Sequence, residues 1–389
     1  MKRYAHIIGW GKYTPDRILT NDDLSHMVNT SDEWIRTRTG IRTRHLVSEG
    51  ETTATMSIRA AQAALEVANV TPDQIELIIV ATSTPDYLTP STSCLVQDAL
   101  GATRAAAFDL SAGCSGFVYG LGVASGLIQA NMYNTVLIIG AETVSTFIDW
   151  TDRETCVLFG DGAGAVVLQA SESAGGVLAS VLGADGSGAE LLYVPAGGSR
   201  QPTCADTVAQ GLHFLRMDGR QVFRFAVNVM PIASRQVCEK ARLSLDDIEL
   251  FVPHQANDRI IQAAARALQI PAERMFTNLE RYGNTSAASI PIALCEAVES
   301  GLIKRGDHLI MGGFGAGLTW AAAAVQWSMP WPVPPQPWWR KTLRWLHYRW
   351  ARLRSWALRT LRRLDVEIRK PFNHEAEGES QPQREEQMK

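Results

Sequence analysis

The pattern that most narrows what this chain can fold into is an alternation. Short apolar, β-branched runs, IELIIVA (75–81), TVLIIGA (135–141), AGAVVLQ (163–169), IELFVPH (248–254) and HLIMGGF (308–314), are separated by alanine-rich stretches of helical spacing at 54–69, 115–130, 258–269 and 286–300. Runs that are apolar at every position suit strands covered on both faces, and the intervening helices supply the cover. The pattern therefore predicts α/β layers with buried parallel strands. With 46% hydrophobic residues in a chain of 389, there is apolar material for one large domain or two fused ones. The opening MKRYAHIIGWG runs into a glycine turn and reads as a first strand rather than a signal peptide. No run reaches the roughly 18 to 20 apolar residues of a membrane span.

Charge and cysteine usage exclude several classes. Residues 329–389 hold 13 Lys+Arg and 7 Asp+Glu, which leaves 24 and 33 for residues 1–328. An acidic body argues against nucleic acid as the main partner. The six cysteines (94, 114, 156, 204, 238, 295) show neither CxxC nor His-cluster spacing, so a disulfide framework and a zinc site are both disfavoured and a reducing cytoplasm is the expected compartment. GDGAGA (160–165) lacks the dinucleotide-binding spacing and the P-loop lysine, and reads as a tight turn that permits close packing.

Three residues stand out chemically. In DLSAGCSGFVYGLG, a small-residue turn delivers Cys114 to the start of a helical apolar run. A free cysteine is commonly just a small buried hydrophobe, but at a helix N-terminus the macrodipole and unpaired N–H groups favour the thiolate nucleophile. His254, in PHQAN, closes a strand-like run; a lone histidine there is either a satisfied polar residue or a catalyst. Asn284, in RYGNTSAAS, follows a glycine and precedes a small-residue helix, a placement that a plain turn also explains.

Together with SDEWIRTRTGIRTRH, AGCSGF, DWTDRETCVLFGDGAGA, VPHQAN, RYGNTSAAS and GGFGAGLTW, in order over residues 1–327, the chain resembles the thiolase-like condensing enzymes, and among them the β-ketoacyl-acyl-carrier-protein synthase III family. The resemblance implies a duplicated thiolase-like fold, layered α/β/α/β/α with mixed sheets, whose halves span 1–171 and 172–328. It implies a homodimer that initiates fatty-acid synthesis by decarboxylative Claisen condensation of an acyl-CoA with malonyl-acyl-carrier protein. Neither metal nor redox cofactor is implied, the coenzyme A thioester being a substrate. A polyketide- or quinolone-type relative with another acceptor, or a retired scaffold on the same fold, are the alternatives.

Carried over residue by residue, the resemblance implies a Cys114, His254, Asn284 set, with the backbone amides of Cys114 and Ala316 as oxyanion donors. Thr30, Trp34, Arg38, Arg153 and Asn257 would hold coenzyme A: Trp34 and Arg153 around the adenine, Thr30 and Arg38 on phosphates, Asn257 on the pantetheine. The same basic string, with Trp34 and four arginines between 36 and 44, also reads as a solvated loop. Thr89, Met217 and Phe314 would shape the acyl pocket. Thr89 stands where some relatives carry a bulky aromatic, so primers longer or more branched than acetyl are expected. Arg224, Arg259 and Arg266 would form a basic patch for an acidic carrier protein, with solvated surface arginines as the equal alternative.

Beyond that region lie a proline-rich joint (329–337), a basic helix (338–370) and a polar, acidic stretch (371–389) expected to be disordered. In 338–364 there are nine Lys+Arg and no acid, with apolar residues at 339, 343, 346, 350, 353, 357, 361 and 364. Steps of three and four predict an amphipathic helix. A membrane surface touched peripherally, a protein partner or the dimer mate, and nucleic acid are the three candidate contacts for it.

Overall fold

A computed structural model describes residues 2–333 and 337–369; the expected acidic stretch 371–389 lies outside the described residues. Residues 4–171 build one five-stranded sheet. Its strands are β1 (Tyr4–Tyr13), β4 (Leu77–Ala81), β5 (Ala106–Leu110), β6 (Thr135–Glu142) and β7 (Gly162–Ser171), in the order β1-β7-β6-β4-β5. The short strands β2 (Ile18–Thr20) and β3 (Thr43–His45) form a separate hairpin-like pair. The second main sheet has β8 (Gly176–Ala184), β11 (Leu250–Pro253), β12 (His308–Gly315) and β13 (Thr319–Gln326), ordered β11-β12-β13-β8, and β9 (Leu192–Tyr193) pairs with β10 (Arg216–Met217) beside it.

The two sheets repeat one scheme. β1, β7 and β6 are successively antiparallel and β4 lies parallel to β6; β8, β13 and β12 are successively antiparallel and β11 lies parallel to β12. Parallel strands occupy only part of each sheet, so the expectation of buried parallel strands holds for β4, β6, β11 and β12; β5 runs parallel to β4 but is an edge strand with Ala106 and Phe108 exposed, and antiparallel strands complete both sheets.

Helices supply three layers. α5 (Gly116–Gln129) and α11 (Ser289–Glu299) lie between the sheets and touch both. α3 (Thr53–Ala68) and α4 (Thr92–Leu100) cover the outer face of the first sheet; α8 (Gly219–Ala241) and α9 (Asp258–Leu268) cover the second. The short helices α1 (Asn21–Ser25), α2 (Asp32–Thr39), α6 (Arg153–Cys156), α7 (Ala205–Ala209) and α10 (Leu279–Tyr282) sit in the connecting loops, and α12 (Trp338–Arg369) returns to pack on α4.

The central layer explains why so many residues of α5 are small. Its buried Phe117, Val118, Leu121 and Ile128 join one core with Ile79 and Ile138 of the first sheet and Met311 and Ala323 of the second. Most of this helix is covered, and its more open side carries Tyr119, Val123 and Leu127 rather than charged residues, so little amphipathic signal is left in its sequence. β13 carries four consecutive alanines, Ala321 to Ala324, all fully buried. Alanine favours helix intrinsically; here thin side chains let two helical layers close on the strand, and packing overrides propensity.

The contact of β6 with the turn before α11 is the tightest test of this packing. A Cβ on Gly140 would stand 2.2 Å from the Ala287 carbonyl oxygen. Gly140→Ala must push the turn carrying Asn284 and Ser286 away from the sheet. We expect a loss of about 1–3 kcal/mol, read from the midpoint of urea unfolding at unchanged slope; an unmoved midpoint would contradict the close approach.

Candidate active site

Cys114 lies in a 3-10 turn, Gly113–Ser115, that runs directly into α5. The loop after β12 meets this turn backbone to backbone. A Cβ on Gly113 would fall 2.6 Å from the Ala316 nitrogen, and one on Gly315 would fall 2.4 Å from the Cys114 nitrogen. Two glycines therefore bring the amides of Cys114 and Ala316 to one place. Hydroxyls tie the junction: Ser115 Oγ donates to the Ala112 carbonyl (2.7 Å), and Thr319 Oγ1 reaches the carbonyls of Ala112 (2.8 Å) and Ala316 (2.9 Å).

Cys114, His254 and Asn284 all face one cavity of ≈ 1020 Å³, although 170 residues of sequence separate the first from the last. His254 follows β11, and its backbone N–H donates to the Gly312 carbonyl of β12 (2.8 Å), which fixes the strand end. Its Nδ1 lies 2.6 Å from Ser289 Oγ, at the start of α11. That oxygen already accepts the Gln255 N–H (3.3 Å), so the serine's own hydrogen is available to Nδ1. The imidazole hydrogen is thereby assigned to Nε2, which is buried and has no protein partner among the described residues. The ring meets Phe314 edge-on at 5.3 Å, and burial lowers the pKa of His254 to about 3, so the imidazole is neutral at pH 7.

Asn284 is oriented just as firmly. Its Oδ1 accepts the Ser286 N–H (2.9 Å), which leaves the Nδ2 hydrogens as donors. Neutral donors thus come from β11 and from the turn before α11.

The environment of Cys114 departs from the expectation drawn from its helix terminus. Burial pushes the thiol up to about 12, hydrogen bonding from Ser286 acts the other way, and the carboxylate of Glu142 raises it further. Desolvation outweighs the macrodipole, and Cys114 at rest is a neutral thiol.

Sequence reasoning missed the groups beneath it. Ser286 Oγ lies 3.3 Å from Cys114 Sγ and 3.0 Å from Glu142 Oε1. The fully buried Glu142 also accepts from Thr84 Oγ1 (2.6 Å), the Ser83 N–H (3.1 Å) and Thr82 Oγ1 (3.3 Å). One hydroxyl hydrogen cannot serve sulfur and carboxylate together, so Ser286 can turn from Glu142 to Sγ as negative charge develops on the sulfur. The serine stands in NTSAAS with an ordinary small-residue look; its positive φ of 50° and its neighbour Glu142 belong to the tertiary structure alone.

Trp34, Arg38, Arg153, Met217, Asn257, Arg259 and Phe314 also line the cavity. The guanidinium carbons of Arg38 and Arg153 each lie 4.8 Å from the Trp34 ring centroid. Arg153 further donates from Nη1 to the Asn29 carbonyl (3.0 Å), so a purine between Trp34 and Arg153 requires that arginine to swing out. Asn257 caps α9, accepting the Arg259 N–H (2.9 Å) and donating to the Arg38 carbonyl (3.1 Å), which ties the cavity wall to α2. Of the four arginines between 36 and 44, Arg44 points inward: it is fully buried, and its guanidinium donates to Asn21 Oδ1 (2.9 Å) and the Val157 carbonyl (2.8 Å).

Other candidates stand outside the cavity lining. The side-chain oxygen of Thr30 is buried without a partner among the described residues, and Thr89 is exposed on a loop with Tyr87 and Leu88 that leaves its own chain's cavity. Arg224 and Arg266 are exposed on α8 and α9, Arg224 beside a separate hollow. Among the described residues no group of three or more His, Cys, Asp or Glu is arranged to hold a metal ion.

Two matched sheets with a buried cysteine, a neutral histidine and an oriented asparagine at their shared seam define a condensing enzyme of the thiolase fold. Comparison with known proteins makes the class narrower. The family model for 3-oxoacyl-[acyl-carrier-protein] synthase III matches residues 108–186, and that for its C-terminal part matches 238–327. The β-ketoacyl-[acyl-carrier-protein] synthase III of Caldanaerobacter subterraneus subsp. tengcongensis is 53% identical over 324 residues, 83% of this chain and 98% of that protein. The Symbiobacterium thermophilum enzyme of the same name is 54% identical over 326 residues, 84% and 99% of the two chains. The crystal structure of the Aquifex aeolicus 3-oxoacyl-[acyl-carrier-protein] synthase III superposes with a TM-score of 0.77 at 49% identity, over 83% of this chain and 100% of that one. The chain belongs to the β-ketoacyl-[acyl-carrier-protein] synthase III family, and its fold is the duplicated thiolase-like fold with a C-terminal helix added.

A neutral resting thiol has a measurable signature. Alkylation of Cys114 by iodoacetamide, followed peptide by peptide because Cys94 and Cys204 are exposed, should rise about tenfold per pH unit from pH 7 to 10 without a plateau. A plateau below pH 8 would show a thiolate at rest. Ser286→Ala removes a donor that favours the thiolate, so alkylation of Cys114 should slow at every pH in that range; an unchanged rate would remove Ser286 from the account.

Proposed function

We propose that Cys114 of this condensing enzyme carries the acyl group between two half-reactions and that His254 and Asn284 serve the second. The carrying observation is that one cavity combines a buried thiol with two oriented neutral N–H donors. The chain initiates fatty-acid synthesis by condensing an acyl-CoA with malonyl-acyl-carrier protein.

In the first half-reaction Sγ attacks the thioester carbonyl, the carbon–sulfur bond to coenzyme A breaks, and the thiol hydrogen ends on the departing sulfur. The carbonyl oxygen takes up charge between the amides of Cys114 and Ala316. In the second, malonyl-carrier protein loses CO2, and the electron pair of that bond forms an enolate. Its oxygen accepts hydrogen bonds from His254 Nε2–H and Asn284 Nδ2–H. The enolate carbon then attacks the acyl-cysteine, and Cys114 leaves as a thiolate towards which Ser286 can turn. Decarboxylation supplies the carbanion, so neither metal nor redox cofactor is required.

We assign coenzyme A to the wall around Trp34, Arg38, Arg153 and Asn257, with Thr30 reaching phosphate, and the acyl chain to the space by Met217 and Phe314. Arg224, Arg259 and Arg266 would dock the carrier protein. The halves are assigned to 1–171 and 172–328. We further propose a homodimer in the cytoplasm. The support is an unpaired edge strand, β5, that exposes Phe108, next to a loop whose Leu88 is 88% exposed. Thr89 of that loop would then reach the partner's acyl pocket, where its small volume admits longer or branched primers. No helix of the described residues is long and apolar enough to cross a membrane, and 338–364 would touch a membrane surface peripherally.

Intact-mass spectrometry with acyl-CoAs from acetyl to long chain tests this reading. An adduct on the wild type that vanishes in Cys114→Ala is expected, with longer or branched primers at least matching acetyl; absence of any adduct would overturn it. His254→Ala and Asn284→Ala should still acylate but lose about 10²–10³ in condensation rate. Arg259→Glu should weaken use of malonyl-carrier protein and spare acylation by acyl-CoA; equal loss of both would remove the docking role.

A further inference from the structure

α12 meets the body through a face other than the one its hydrophobic pattern advertises. The side chains turned inward are Arg344, His347, Tyr348, Ala351 and Ser355, drawn from one side of the helix, with the more exposed Arg359 at its edge. Ala351 sits so close to Gly101 that a Cβ there would be 2.7 Å from its own. Ser355 Oγ donates to Asp98 Oδ2 (2.5 Å), Arg359 pairs with the same carboxylate (2.7 Å), and Lys341 pairs with Glu66 (2.6 Å). Small and polar groups, together with the Tyr348 ring packed against the core beneath, do the docking.

The stripe at 339, 343, 346, 350, 353, 357, 361 and 364 consequently lies on the opposite side, since residues at about 100° per step place 346, 350 and 353 away from 344, 348, 351 and 355. Trp350 is 60% exposed and Leu353 64%, and Trp345 and Trp356 extend the stripe along one border. Arginines stand along both borders: Arg349, Arg352 and Arg363 on one side, Arg340 and Arg354 on the other. Leaving aside the side chains of 365–369, none of these five has an acidic partner among the described residues; Arg340 and Arg349 lie over the rings of Trp339 and Trp345. A 32-residue helix, about 48 Å long, thus presents a tryptophan- and leucine-rich strip edged by positive charge and held against the protein from behind.

We infer that this outward strip is a binding face for an anionic lipid bilayer, with α12 lying flat and the α3 and α4 side of the body turned to the membrane. The partition matches an interfacial helix: indole rings at headgroup depth, leucines slightly deeper, arginines to anionic headgroups at both borders. A second copy of the helix fits less well. Both borders would set arginine against arginine, and tryptophans do not fill the holes that β-branched and leucine side chains fill in a paired seam. Nucleic acid would engage the arginines and leave the leucines in water. None of the cavity-lining residues belongs to α3, α4 or α12, so the contact leaves the substrate cavity uncovered. The inference deepens the membrane contact proposed above and is independent of the catalytic assignment.

The test is co-flotation of the full chain with vesicles of phosphatidylcholine containing one third phosphatidylglycerol, and with phosphatidylcholine alone. The triple variant Leu346→Ser, Trp350→Ser, Leu353→Ser serves as control. These side chains are 49% to 64% exposed, so the fold should persist; circular dichroism and acylation of Cys114 on the same samples verify it and report separately on catalysis. Binding to the anionic vesicles, at least tenfold weaker on neutral vesicles and in the triple variant, with a blue shift of tryptophan emission in the wild type only, is the expected result. No binding to anionic vesicles, or equal binding by the variant, overturns the inference. So does a lipid-free wild type that forms a larger assembly than the variant, because the strip then belongs to a second copy.

Discussion

The peptide-to-peptide contact between the turn at 113–115 and the loop at 315–316 is the constraint on which the rest of the structure depends. A methyl group on Gly113 or Gly315 would collide with the opposite backbone, so the two sheets can share a seam only with both positions bare. That seam fixes where α5 begins, and therefore where Cys114 points. It also brings two amides from opposite halves to the place where an oxyanion would form. Ser115 and Thr319 hold the junction through the carbonyls of Ala112 and Ala316, leaving little slack for the loops to drift apart.

Dryness follows from the same seam. A thiol and an imidazole enclosed between two sheets are both driven to their neutral forms, which separates this site from a thiolate–imidazolium pair. Neutrality suits the role proposed for His254, which is to donate a hydrogen bond to an enolate without surrendering its proton. It costs nucleophilicity at the sulfur. The chain beneath the sulfur, Ser286 and Glu142, gives a way to offset that cost locally: burial raises the pKa of Glu142 to about 6 despite donors from Thr84, Ser83, Ser286 and Thr82, and its serine can redirect a hydrogen towards a developing thiolate.

Outside the catalytic body, α12 shows that amphipathicity alone does not say which face a helix buries. Its apolar stripe suggests a seam against protein, yet the helix is pinned by Ala351, Ser355 and Arg359 to α4 and to Gly101, which caps the C-terminus of α4. An acidic side chain at Asp98 and a bare Gly101 offered a shallow, polar seat that a row of tryptophans could not have used.

By itself the sequence determined the alternation of strands and helices, because strands buried on both faces leave runs of apolar, β-branched residues that survive as a one-dimensional signal. It also determined that Cys114, His254 and Asn284 were worth attention, each sitting where a strand or turn gives way to a helix. What it could not carry were features whose cause lies across the fold. β13 looks like helix because alanine was selected for thinness between layers; β5 and α8 went unread for want of a clean period. Ser286 and Glu142 acquire meaning only when α11 packs its preceding turn against β6. Arg44 resembles its neighbours in a basic string until burial sets it against Asn21 and Val157. Periodicity records which side of an element is apolar, whereas the tertiary structure decides which side is covered, which charges are stripped of water, and which distant backbones are close enough to act together.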